Sequence, residues 1–172
     1  MAARIALGTF LNAPLALRAD ALERAARSNL APETIDNAKR LHAEAVKLGL
    51  SDTSLYDALL PEAEGNIDET LTRLATIDRP EARAAQFNII GRHKGAAGAL
   101  SWLAEQKYAI RDFGAAGSVN VLLRRAEVND YQTALTEAES LPGDWLDEHP
   151  ALYCVFRKNG TVISLTDGQQ FH

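Results

Sequence analysis

"NDYQTAL", Asn129 to Leu135, begins as a turn and continues as a helix. Asn and Asp favour turns because their short side chains bond the nearby backbone. From Tyr131 onward, Leu135 and Ala138 fall on one helical face. Two other stretches have the same shape: "GNIDETL" from Gly65 to Leu71, and "KGAAGAL" from Lys94 to Leu100. In each, a leucine stands six residues after the first position, and the three begin 29 and 35 residues apart. Units of about 34 residues, each two helices long, are the mark of stacked helical hairpins.

Outward from these turns, nearly the whole chain reads as short helices with tight connections. Leu15 to Ser28 is a helix with Leu15, Leu22 and Ala26 on one face and Arg18, Glu23 and Arg27 outside. Pro32 is expected to start the next helix, which carries Ile35, Ala38, Leu41, Ala45 and Leu48 and stops at Gly49. Ser51-Asp52 caps a third helix with Leu55, Leu59 and Leu60, which Pro61 should end or kink. Ile67 to Ile77 follows, with Leu71 and Leu74 inward. Pro80 starts a helix through Ala84, Phe87 and Ile90, and Gly95 and Gly98 mark a turn before Ala99 to Lys107. Gly114 to Val128 holds Val119, Leu122 and Leu123, and Tyr131 to Leu141 comes next. After Pro142-Gly143, Asp144 caps a helix from Trp145 to about Tyr153.

"NDYQTAL" resembles the inter-helix turn of tetratricopeptide repeats, which typically reads Gly-Asp-Tyr-Glu-Glu-Ala-Leu; Tyr131 and Ala134 stand at the matching places. "SLPGDWLDEHPAL", Ser140 to Leu152, is similar to that family's passage from one repeat to the next, so the resemblance spans residues 51–153. Pro61 inside an expected first helix, the missing aromatic in the second turn and the uneven spacing depart from the pattern. The resemblance implies an all-α stack of antiparallel hairpins, a short α-solenoid, over residues 1–154, with residues 155–172 as a tail. It implies a scaffold-like protein-interaction module whose groove takes a peptide, a helix or another copy of the chain, without catalysis. Some members grip a peptide's terminal carboxylate with groove asparagines and a lysine. Asn88 and Asn120 occupy matching places; Ala84 stands where the lysine would, and Arg92, one turn beyond Asn88, is the expected substitute.

Composition narrows the classes. The chain has 172 residues, 47% hydrophobic and 24% charged, enough for a real core and unlike a disordered chain. A net charge of −5 and a pI near 5.4 argue against nucleic acid or an anionic membrane as partner. Cys154 is the single cysteine, so no internal disulfide forms, and a reducing, cytoplasmic setting is expected. The first residues carry charges too early for a secretory leader, and no run approaches the ~20 apolar residues of a membrane span.

Motifs for chemistry are weak. "GAAGSVNV", Gly114 to Val121, is a poor dinucleotide turn because Asn120 takes the place of the third glycine and no buried strand precedes it. "GRHKG", Gly91 to Gly95, lacks phosphate-loop spacing and reads as cations at a helix C-terminus. His42, His93, His149 and His172 are far apart in sequence, and no metal-ligand spacing occurs, so neither metal nor cofactor is expected. Cys154 reads as a buried apolar thiol. Two other functions compete with the interaction module: a helical enzyme or sensor with a small-molecule pocket, and a regulatory arm of a larger signalling or transcription protein.

The end of the chain breaks the pattern. "VFRKNGTVISL", Val155 to Leu165, places Asn159-Gly160 between β-branched runs, a hairpin signal. Three readings stay open: a small β-hairpin cap, a disordered end, and an array cut partway through a unit, the last being favoured because the helical pattern stops mid-unit.

Overall fold

Pro14 lies just outside the first helix, and its carbonyl accepts the Arg18 N–H at 3.1 Å, which starts α1, Leu15–Ser28. This is a computed structural model, and it describes residues 13–142. Seven helices follow one another, and no strand occurs among the described residues. They are α1, α2 (Ile35–Lys47), α3 (Ser54–Ala63), α4 (Ile67–Ala75), α5 (Pro80–Gln106), α6 (Gly114–Glu127) and α7 (Tyr131–Glu139), with a 3-10 turn at Ile110–Phe113 before α6. The expected helix at Trp145, the Val155–Leu165 hairpin, Cys154, His149 and His172 lie outside the described residues. The described chain divides into two units, one through Ile77 and one from Asp78.

In the first unit α1 packs on α2 and α3 on α4, and α1 also touches α3. The expected face of α1 is corrected. Ala19, Glu23 and Ala26 are buried, whereas Leu15 is 58% exposed. Glu23 turns inward because a partner awaits it on α2. Helix α2 begins at Ile35 rather than Pro32: Thr34 is not helical, and its hydroxyl donates back to the Asn29 carbonyl at 2.8 Å, closing a turn. Thr53 precedes α3 as its N-cap, and Asp52 just before it accepts from the Ser54 N–H at 3.1 Å. Asn66 caps α4, accepting from the Glu69 N–H at 3.2 Å while its amide donates to the Glu69 carboxylate at 2.7 Å.

Pro61 does not end α3, which runs on to Ala63. A proline there removes the N–H that would reach the Asp57 carbonyl. Arg73 of α4 supplies the missing donor: its Nη1 lies 2.9 Å from that carbonyl oxygen. The same guanidinium pairs with Glu69 on its own helix.

In the second unit α5 packs on α6, α6 on α7, and the 3-10 turn fills in beside α5 and α6. Helix α5 is two helical segments rather than one. Gly95, with φ 72° and ψ 178°, is the one non-helical residue inside it. The aromatic rings show that the helix is sharply bent. The Phe87 and Trp102 centroids lie 5.7 and 6.5 Å from that of Phe113. A straight helix would hold residues 87 and 102 about 22 Å apart. The turn expected at Gly95 is therefore present. Gly98 is helical and serves packing instead, since a Cβ there would fall 2.5 Å from that of Lys94. Lys107, in the left-handed region, ends α5.

Helix α6 buries Gly117, Ser118, Val121 and Leu122, not the expected set of Val119, Leu122 and Leu123; Leu123 is 43% exposed. It faces α5 and α7 together, so adjacent pairs of residues turn inward, and two of them are too small to register as apolar signals. Arg125 clamps α6 to α7 through Glu137, at 2.9 and 3.2 Å, and reaches Asp130 in the turn at 3.2 Å. Leu135 is half-buried, while Ala134 and Ala138 are fully buried.

Candidate functional site

Three close approaches define how α5 and α6 meet. A Cβ on Gly114 would lie 3.4 Å from the Pro80 side chain, one on Gly117 2.9 Å from Ala84 Cβ, and one on Gly91 3.0 Å from Arg124 Nε. Residue numbers rise together on both sides, so Pro80–Lys94 runs parallel to α6, with partners offset by 33 or 34 positions. Gly117 is the small residue that lets the backbones close up, because any larger side chain would strike Ala84 and Phe113.

Asn88 sits on the seam face of α5, one turn after Ala84 and just before Gly91. Asn120 sits between Gly117 and Arg124 on α6. The two asparagines are 32 positions apart, and both are half-buried. Arg92 is exposed, with His93 and Lys94 beside it at the end of the first α5 segment. Ala84, where a clamp lysine would stand, packs against Gly117, and a longer side chain there would force the helices apart.

Arg124 is a seam residue the expectations lacked. Its guanidinium lies across Gly91, where a Cβ would come within 3.0 Å of Nε, and its Nη1 pairs with Glu127 at 2.7 Å. The signal for it is a repeated spacing: Asn88/Arg92 and Asn120/Arg124 are both Asn and Arg four residues apart. At that spacing the two side chains share one helical face.

The first unit holds a separate polar cluster. Glu23 is buried, and its carboxylate lies 2.8 Å from His42 Nδ1 and 3.9 Å from Arg27 Nε. The His42 ring stacks on Tyr56 at 3.8 Å with an interplanar angle of 3°. Tyr56 is buried among Ala26, Ala38, Leu30, Leu41 and Leu60, and its hydroxyl finds no hydrogen-bond partner among the described residues. Burial raises its pKa above the usual tyrosine value, reinforced by Glu23, Asp57 and Glu64. His42 is therefore partnered across helices despite its isolation in sequence.

"GAAGSVNV" opens α6 after a 3-10 turn, with the Ser118 hydroxyl 2.8 Å from the Gly114 carbonyl oxygen and 3.0 Å from that of Ile110. No group of three or more His, Cys, Asp or Glu that could hold a metal occurs among the described residues. No described helix is long and apolar enough to cross a membrane. No family model matches the chain, and neither does a curated protein or a solved structure.

Proposed function

We propose that this chain is a protein-interaction module, a tetratricopeptide-like stack of hairpins, which takes an extended peptide along the α5/α6 seam. One observation carries the reading: Pro80–Lys94 and α6 run parallel with a 33–34-residue offset. That arrangement supports a reading in which Asn88 and Asn120 serve one site, their two amides bonding successive peptide groups of a bound chain. Arg92 and Arg124 stand one turn further along, where a guanidinium suits a carboxylate. The ligand in this reading is a peptide segment carrying a carboxylate, at its C-terminus or on a side chain.

The test is selection from a random peptide pool, made once with free C-termini and once amidated, with the full chain as bait. Selected free-acid peptides should bind the natural chain and lose about tenfold or more in affinity against Asn88→Ala or Asn120→Ala, the scale of one or more lost hydrogen bonds. Unchanged binding to both variants would move the site off the seam. Equal binding of the amidated pool would remove the terminal carboxylate from the recognition.

A further inference from the structure

The bend in α5 depends on one residue. Between Pro80 and Gln106, Gly95 alone leaves helical geometry, and it separates two helical segments. Its φ of 72° and ψ of 178° lie in a region that only glycine occupies readily. Nothing lies within 4 Å of a Cβ built on it, so the restriction is conformational and not a matter of space. On either side the sequence is ready to continue as helix: His93 and Lys94 precede Gly95, and Ala96 and Ala97 follow it.

We propose that Gly95 is a one-residue hinge between two states of the chain. In the closed state α5 is sharply bent at Gly95. In the open state α5 runs straight for about 40 Å, and residues 96–142 of each chain pack on the Pro80–Lys94 segment of a second copy. Straightening would uncover apolar side chains that are buried in the bent form, among them Phe87, Ile90, Leu100 and Leu103. A second copy carries the same surfaces and can restore the same contacts, with each Phe113 again meeting a Phe87 and a Trp102. An exchange of identical segments needs no new interface beyond the hinge. The partner is therefore another molecule of this chain, and the exchange places two α5/α6 seams on one assembly.

The experiment uses the full chain with Cys154→Ser and nitroxide labels at Glu81→Cys and Glu105→Cys, both exposed positions at opposite ends of α5. Labelled chain is diluted with unlabelled chain, so that only distances within one molecule are read, and mass is followed by light scattering. With Gly95 in place the chain should be mainly monomeric with a short label separation. Refolding it at high concentration should add a minor dimer with a backbone separation of about 36 Å between the labelled positions. Gly95→Ala, which strains the closed form and favours helix, should make that dimer and that distance dominant while keeping the helical circular dichroism. A monomeric Gly95→Ala chain with the short distance would overturn the proposal. So would loss of helicity without a dimer, or a wild-type dimer that keeps the short distance.

Discussion

Tyr56 pairs a filled site with an unmet need. Its ring is covered by His42 and by core alanines and leucines, while its hydroxyl is buried without a hydrogen-bond partner among the described residues. A buried polar group left unpaired costs about 1–3 kcal/mol. Tyr56→Phe should therefore stabilise the fold by about 1 kcal/mol, read as a higher denaturant midpoint at neutral pH. The pH dependence follows from the raised pKa. The unfolded chain releases this proton near pH 10, and the folded chain holds it longer. The contribution is complete below about pH 10 and is lost as pH rises through the folded value. Stability curves of the natural chain and Tyr56→Phe should thus diverge further above pH 10. Glu23 makes the opposite case: its carboxylate meets both His42 and Arg27. Glu23→Ala should cost on the order of 2 kcal/mol, the scale of a hydrogen bond to a charged group. None of this cluster was legible locally. Helical periodicity puts Glu23 outside, and only the packing of α1 on α2 brings His42, nineteen residues away, to it.

Among the elements, α3 shows how a helix keeps a proline. Arg73 gives the Asp57 carbonyl the donor that Pro61 cannot. Arg73→Ala should cost about 1 kcal/mol with Pro61 present and markedly less in a Pro61→Ala background, where a backbone N–H takes over. A double-mutant cycle by urea denaturation measures the coupling, and additive effects would show that the bond carries no weight. The seam glycines separate packing from function. Gly117→Ala meets Ala84 and Phe113 at 2.9 and 2.8 Å, so it should destabilise by about 1–3 kcal/mol despite the better helix former. Gly91→Ala meets only the movable end of Arg124. It should change stability little, shift Arg124, and weaken capture of a carboxylate-bearing peptide. Most helix limits were legible because caps and breakers are local: α1 spans Leu15–Ser28 as its pattern predicts, and α5 starts at Pro80. Helix faces were less so. On α6 the inward positions include Gly117 and Ser118, whose smallness serves close approach to α5 and carries no apolar signal.

For the molecule as a whole, the repeated turns predicted an all-helical chain of hairpins, and the described residues are all-helical. The parallel pairing of Pro80–Lys94 with α6 has the offset of 33–34 residues that units of about 34 residues imply, but the residues that make the contact, Gly91 and Gly117 among them, carry no apolar signal. It is this pairing on which the proposed role of Asn88 and Asn120 rests. Ala84 lies where the seam is closed by Gly117. The direct test of the pairing is a pair of nitroxide distances in a Cys154→Ser chain. One joins Glu81→Cys to Ala115→Cys, the other Glu81→Cys to Glu127→Cys, all at exposed positions. Parallel helices in this register place positions 81 and 115 close together and carry position 127 about 18 Å further along α6. The short 81–115 and long 81–127 distances are the predicted result; the reverse order would mean antiparallel helices, and the seam with its two asparagines would not exist.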